Sequence, residues 1–138
     1  MANKLNFSVS DKLVIDGNNG LAVDIATNWN EVELATPIST DGTKAHPFVN
    51  GETFLGILSS KQIKNAEDDT AGVNVIEVSY LKGGYYFWVR ADGAIAVGDG
   101  VTPTTKGFKK ETTAANIKGY AVSVGTDGGS VKVRGGNY

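Results

Sequence analysis

The stretch Lys82-Gly83-Gly84-Tyr85-Tyr86-Phe87-Trp88-Val89 contains the densest cluster of β-forming residues in the chain. Aromatic and β-branched residues favour strands because their side chains pack well on a pleated surface. The Gly-Gly pair follows another apolar run at residues 78–81, and a glycine pair between two such runs is typical of a tight hairpin. We therefore predict a hairpin here. Because consecutive strand residues face opposite sides, at least half of these aromatic side chains should be in the core.

Short apolar runs separated by turn residues continue in both directions from this stretch. Glycine accounts for 18 of the 138 residues, and most glycines fall between such runs. Asp16-Gly17-Asn18-Asn19-Gly20, between runs at residues 13–15 and 21–25, predicts an N-terminal hairpin. Residues 53–58 form a continuous apolar run suited to a strand that is buried on both faces, and residues 37–47 are predicted to be a loop.

No segment repeats its apolar residues every 3.6 positions over three turns, so little helix is expected. The fold class that we predict is all-β, a small β-barrel or β-sandwich of short strands with an extended N-terminal segment. Residues 1–50 would supply an arm and the first hairpin, packed on the same domain, and residues 51–138 the main β-region. Within residues 1–10, Leu5, Phe7 and Val9 alternate with polar residues, a pattern that fits either an interaction arm or an ordinary first strand.

The charge and composition of the chain exclude several classes of function. The formal net charge of −2 gives no general attraction to nucleic acid or to an anionic membrane. The chain contains no cysteine, which excludes disulfides and sulfur-ligated metals. We expect no signal peptide and no membrane span, because no apolar stretch approaches the roughly 20 residues that a spanning helix needs. The charge is uneven: residues 1–100 carry −6 and residues 101–138 carry +4.

The sequence offers few groups for catalysis or for metal binding. His46 is the only histidine, and it is placed in the predicted loop at residues 37–47, where an exposed, non-catalytic side chain is expected. Glu67-Asp68-Asp69 lacks the ligand spacing of a calcium loop and is predicted to be a solvated acidic loop. We therefore expect no enzyme activity, no catalytic residues, no cofactor and no metal.

The C-terminal half resembles the small bacteriophage head decoration, or capsid cement, proteins. The pattern consists of an apolar strand, a Gly-Asp turn, a short glycine-containing strand and two further strands, preceded by an apolar-Gly-apolar strand. In this chain the matching segments are Phe54-Leu55-Gly56-Ile57-Leu58, Phe87-Trp88-Val89, Ala96-Val97-Gly98-Asp99-Gly100-Val101, Lys106-Gly107-Phe108, Ile117-Lys118-Gly119-Tyr120-Ala121-Val122 and Val131-Lys132-Val133-Arg134.

The resemblance implies a virion structural protein that binds the outer surface of a phage major capsid lattice and stabilises the head. It implies localisation on the capsid surface after assembly in the host cytoplasm, and self-association, with a trimer favoured and a dimer possible. Another virion or tail β-module and a carbohydrate-binding module stay open as alternatives; the second is suggested by Trp29, Tyr85 and Trp88 if these are exposed. The candidate interface residues are Leu5, Phe7, Val9, Trp29, Lys109 and Lys110.

Overall fold

The computed structural model describes residues 12–136, and within that range the predicted all-β fold class is confirmed. Two open sheets of six and five strands form a sandwich-like fold rather than a closed barrel. Among the described residues the helical segments are two single 3₁₀ turns, Trp29–Glu31 and Ala114–Asn116. The first sheet contains β1 (Lys12–Ile15), β2 (Ala22–Val23), β3 (Pro37–Thr40), β4 (Lys44–Pro47), β5 (Thr53–Ile63) and β6 (Asn74–Ser79), and the second contains β7 (Tyr86–Arg90), β8 (Gly100–Pro103), β9 (Phe108–Lys110), β10 (Gly119–Ala121) and β11 (Ser130–Gly135).

The first sheet has the strand order β1-β6-β5-β3-β4-β2. Its pairs are antiparallel except for β2 with β4, which is parallel. The apolar residues of these strands pack on Trp29, which is only 3% exposed and whose indole N–H donates to the carbonyl of Asp24 over 2.8 Å. Trp29 therefore anchors the turn after β2 to the core of this sheet. Its prediction as an exposed interface residue is wrong.

The second sheet has the order β7-β11-β10-β8-β9, with every neighbouring pair antiparallel. Its buried face centres on Phe108, which is fully buried and meets Phe54 of β5 edge to face at 6.2 Å between ring centroids. Ile57 of β5 belongs to the same buried cluster, so β5 joins the cores of the two sheets. An isolated bridge between Ala91 and Phe108 links the two edge strands of the second sheet at one end and makes the sheet curl.

The loops that follow β7 and β10 are joined by reciprocal backbone hydrogen bonds. Ile95 and Gly125 each donate a backbone N–H to the other's carbonyl over 2.9 Å. Ala91 donates to Gly129 and, thirty residues later, Ala121 donates to Asp99, both over 2.8 Å. This reciprocal bonding fixes β7, β11 and β10 relative to one another, and these three strands carry the surface described below.

The predicted buried strand at residues 53–58 is confirmed, and it forms the first half of β5. Gly56 lies at a β-bulge, where the register between β3 and β5 shifts by one residue. Its φ is +143°, and a Cβ added there would lie 2.2 Å from the carbonyl oxygen of Ser79. Only glycine fits this combination of left-handed backbone and close approach of β6.

Both predicted hairpins are wrong because the strands find more distant partners. β1 pairs with β6, with Leu13 opposite Val78, and β2 pairs with β4, so residues 16–20 connect strands that are not neighbours. The Gly83-Gly84 segment joins β6 to β7, which lie in different sheets. It is a crossover, where a change of direction needs the same flexible residues as a tight turn.

The prediction of a loop at residues 37–47 is also wrong. These residues form the β3–β4 hairpin, in which Ile38 and Ala45 are fully buried. Two prolines suggested a loop, but Pro37 and Pro47 lie at strand ends, where a missing N–H is tolerated. The chain passes from the first sheet to the second between residues 79 and 86. Residue 50, where the sequence analysis divided the chain, lies between β4 and β5, which belong to the same sheet. The predicted arm at Leu5, Phe7 and Val9 lies outside the described residues.

Candidate functional site

The outward side of β7, β11 and β10 is unusual for a solvent-facing sheet because it combines large aromatic rings with cations. Tyr86, Trp88 and Tyr120 are 56%, 59% and 41% exposed. Lys132 and Arg134 lie between them on the central strand β11. We call these five residues the aromatic–basic face. The prediction that at least half of the cluster at residues 85–88 is buried is wrong: Tyr85 is exposed as well, and Phe87 is the one ring that packs inward.

The register of the sheet places the five side chains in two rows. Tyr86, Arg134 and Tyr120 lie opposite one another across three strands, and Trp88 lies opposite Lys132. The Lys132 ammonium lies 5.2 Å from the ring centroid of Tyr86 and 5.9 Å from that of Trp88. Both distances lie within the roughly 6 Å over which cation–π attraction acts.

A shallow depression of about 360 Å³ adjoins this face. Its walls are Tyr120 and Arg134, and its floor is glycine backbone. Gly135 cannot be replaced without movement, since an added Cβ would lie 2.7 Å from the carbonyl oxygen of Lys82. Because glycine has no side chain, a flat group could approach the backbone of the sheet here, beside the ring of Tyr120 and the guanidinium of Arg134. The glycines of the floor are Gly83, Gly84, Gly135 and Gly136.

A second polar cluster, not anticipated from the sequence, surrounds His46 on β4. Its Nδ1 lies 2.8 Å from Asp24 Oδ2 and its Nε2 lies 2.6 Å from Glu52 Oε1. The Ser39 hydroxyl donates to the same Glu52 oxygen over 2.8 Å and accepts the backbone N–H of Val49. The prediction of an exposed loop histidine is wrong, because β4 holds His46 between two half-buried carboxylates.

This geometry requires a charged imidazole. Ionised carboxylates only accept hydrogen bonds, so both ring nitrogens of His46 must donate. Burial disfavours the charged ring, but the hydrogen bonds to Asp24 and Glu52 and the charges of these two residues outweigh it and raise the pKa of His46 above 6.5. The Ser39 hydroxyl bonds to Glu52 rather than to the histidine, and Ser39 is 0% exposed. It therefore cannot reach a substrate in solvent, and the cluster links β3 and β4 to the loop that precedes β5.

The predicted lysines lie on β9, the other edge strand of the second sheet. Lys109 lines an open cleft of about 700 Å³ between the sheets, with Phe54 and Glu52 on the opposite wall. Lys110 is exposed and its ammonium lies 3.8 Å from Asp99. The structure thus keeps both lysines at the surface but does not bring them together with Trp29. Of the acidic loop, Asp69 forms an ion pair with Lys44 of the same chain at 3.6 Å.

Residues 12–136 contain no helix that is both long and apolar enough to span a membrane. Within the same range, no group of three or more His, Asp or Glu side chains is arranged to hold a metal ion.

Comparison with known proteins gives little guidance. No family model matches the chain, and no curated protein matches it either. Among the solved structures that match is the head fiber gp8.5 N base of bacteriophage phi29, at 13% sequence identity and a TM-score of 0.49. The match covers 91% of this chain and 93% of that one.

Proposed function

We propose that this chain is a virion structural protein that binds the outer surface of a phage major capsid lattice and stabilises the head. The observation that carries the proposal is the aromatic–basic face, an exposed and ordered set of Tyr, Trp and Arg on a rigid sheet. These three residue types are enriched among the residues that dominate protein–protein binding energy. Five of the six segments that resemble phage decoration proteins fall within residues 87–134, which build the second sheet and this face, and the sixth, residues 54–58, lies in β5 of the first sheet.

Docking of this kind would be protein–protein association between the chain and capsid subunits, repeated at many sites on the shell. A specific joint buries about 800 Å² on each partner, with a few aromatic or arginine anchors at its centre. The cation–π contacts of Lys132 with Tyr86 and Trp88 would restrict these side chains before binding and so reduce the entropy lost on binding. Copies repeated over a shell allow each contact to be modest, because several points of attachment give avidity.

Self-association on the shell, as a trimer in preference to a dimer, is part of the same proposal. Residues 101–138 carry +4 and include the exposed Lys109 and Lys110 at the β9 edge. The acidic residues 67–69 of a neighbouring copy would supply opposite charge, although Asp69 would have to leave its internal pair with Lys44. Such pairs orient subunits and are screened by salt over about 8–10 Å.

Cosedimentation with capsid shells tests the main proposal. If a major capsid gene lies beside the gene for this chain, the two would be coexpressed and the assembled shells would be pelleted through sucrose. We expect Trp88→Ala to reduce the bound fraction by at least about tenfold, as for an interface anchor worth over 1.4 kcal/mol. The matched control is Val14→Ala, which removes an exposed apolar strand residue from the first sheet. Equal binding by Trp88→Ala and Val14→Ala would remove the aromatic–basic face from the proposal.

Two further variants test the remaining interface residues. Deletion of residues 1–10, which removes Leu5, Phe7 and Val9, leaves the melting temperature unchanged and abolishes shell binding if these residues form an arm. A large drop in melting temperature would instead assign them to the core. Reversal of Lys109 and Lys110 to glutamate is expected to weaken lateral association on the shell. A particle reconstruction with isolated copies and no contacts between them would refute the trimer.

A carbohydrate-binding module is a second candidate because of the depression beside Tyr120. Sugar binding uses an exposed aromatic ring flanked by polar groups, and Tyr120 with Arg134 provides both. Trp29, which first suggested this function, contributes nothing because it is buried. Electrophoresis in gels containing polysaccharides would show retarded migration of the natural protein and normal migration of Tyr120→Ala if this second candidate is correct.

A further inference from the structure

β7 is an edge strand whose hydrogen-bonding pattern can be read residue by residue. On one side it pairs with β11, where Gly135 donates to the carbonyl of Tyr85 and Ala91 donates to the carbonyl of Gly129, both over 2.8 Å. Backbone groups in an antiparallel pair alternate between the two sides of a strand. The odd-numbered residues of β7 therefore bond to β11, and the N–H and C=O groups of Tyr86 and Trp88 point to the opposite side.

Among the described residues, no strand pairs with that opposite side along the first part of β7. Among residues 12–136, no backbone or side-chain group bonds to the N–H or C=O of Tyr86 or Trp88. The bridge between Ala91 and Phe108 closes the sheet only beyond Arg90, and Tyr86 and Trp88 come before that closure on the strand. Four unpaired backbone groups beside two exposed rings form a template for one more strand.

We propose that β7 receives an extended acidic segment of a partner protein, which adds a sixth strand to the second sheet. This inference rests on the proposed function, because it names the way in which a docked partner contacts the aromatic–basic face. Main-chain hydrogen bonds to Tyr86 and Trp88 supply affinity, and alternate side chains of the segment supply specificity. The side chains of the added segment that face the core would be apolar. They would extend the inward-facing row formed by Phe87 and Val89, of which Val89 is buried.

The acidic character of the segment follows from Lys132. Its ammonium lies 5.2 Å and 5.9 Å from the ring centroids of Tyr86 and Trp88, the two exposed rings of the edge strand β7. No carboxylate of the described residues forms an ion pair with Lys132 or with Arg134. An outward-facing Asp or Glu on the added strand would lie beside this ammonium, whereas a Lys or Arg there would meet like charge.

A second copy of the chain fits this edge less well. A symmetric pairing of β7 with β7 centred on Trp88 would satisfy the same backbone groups, with Trp88 opposite Trp88. The pairing would also bring together β7 and β11 of both copies. The two Lys132 and the two Arg134 side chains would then lie on one face of these four strands. Four cations without a carboxylate would oppose that dimer, so charge favours the acidic partner.

The test uses the full chain and a seven-residue peptide of alternating valine and glutamate, acetylated and amidated, which is extended and acidic on one side. We expect its binding to slow amide hydrogen exchange at Tyr86 and Trp88 by at least about fivefold, as each gains a hydrogen bond. Amides of Phe87 and Val89, already bonded to β11, serve as internal controls. The peptide with lysine in place of glutamate, and the acidic peptide N-methylated along its backbone, should not bind.

Paired variants separate the backbone from the side chain. Trp88→Ala removes the ring alone, and Trp88→Pro also removes the N–H that faces the open edge while leaving the β11 ladder intact. We expect Trp88→Pro to bind the acidic peptide at least about fivefold more weakly than Trp88→Ala. Lys132→Glu should weaken the acidic peptide about two- to fivefold and permit binding of the lysine peptide. Should the proline variant fail to fold, the N-methylated peptide gives the same information.

The outcomes distinguish this inference from the proposed function. One outcome would overturn strand addition and leave the virion function standing. In that outcome Trp88→Ala and Trp88→Pro lose shell binding to the same extent, and the peptide does not protect the amide of Tyr86. Peptide protection without any shell binding overturns the virion function alone. Dimerisation that depends on concentration and disappears in Trp88→Pro would replace the acidic partner with a second copy.

Discussion

Replacement of His46 by alanine should change both the stability of the protein and its dependence on pH. The side chain makes two charge-assisted hydrogen bonds, to Asp24 at 2.8 Å and to Glu52 at 2.6 Å. Each such bond contributes about 1.5–3 kcal/mol. All three side chains are between 14% and 22% exposed, which places the bonds toward the lower end of that range. We therefore expect His46→Ala to lower the free energy of unfolding by about 2–4 kcal/mol at pH 6.

The pH dependence has a definite sign. The pKa of His46 is raised in the folded protein, because its bonds to the two carboxylates outweigh the cost of burial. A proton held more tightly in the folded state stabilises it fully below the unfolded pKa of about 6.5, and this stabilisation is lost as pH rises through the raised value. The slope cannot exceed about 1.4 kcal/mol per pH unit for one proton.

Urea denaturation between pH 6 and 9, followed by the fluorescence of the buried Trp29, measures both effects. His46 is the only histidine, so few other groups titrate in this interval. We expect the natural protein to lose stability as pH rises and His46→Ala to show a flatter profile, with the two curves converging toward pH 9. Parallel curves across the whole interval would refute the charged bridge between Asp24 and Glu52.

Three further substitutions test the fold. Gly56→Ala places a Cβ 2.2 Å from the Ser79 carbonyl oxygen at a φ of +143°, so we expect the free energy of unfolding, measured by urea denaturation, to fall by more than about 3 kcal/mol. Gly20→Ala is the control: its φ is also positive but its surroundings are open, so it should cost only about 1 kcal/mol. Phe108→Ala empties the centre of the second core and should cost about 3–5 kcal/mol in the same assay. Trp29→Phe removes the indole bond to Asp24 and should lower the unfolding free energy by about 1–2 kcal/mol, whereas Trp88→Phe should leave it within about 0.5 kcal/mol.

Local composition was sufficient to predict the class of fold and several strands. The apolar run at residues 53–58 and the cluster at residues 85–89 form strands because β-branched and aromatic side chains suit a pleated surface wherever it is placed. The prediction of little helix is confirmed for the same reason, since the period of the apolar residues is a local property. These features depend on neighbours in the sequence and not on the partners that the strands find.

Strand pairing and the environment of single side chains were decided by the tertiary structure. Residues 16–20 would close a hairpin only if β1 paired with β2, but β1 pairs with β6. The contacts that favour β6 join residues some 60 positions apart in the sequence, so no local pattern reports them. Trp29 is buried although both of its sequence neighbours are asparagines, and Trp88 is exposed although both of its neighbours are apolar. The reason is that Trp29 faces the core of the first sheet and Trp88 the solvent side of the second. His46 lies between two carboxylates that are 22 residues before it and 6 residues after it in the chain. The sequence by itself thus determined which segments extend, and the long-range packing of those segments determined which side chains meet, because burial and charge pairing arise only once distant strands lie side by side.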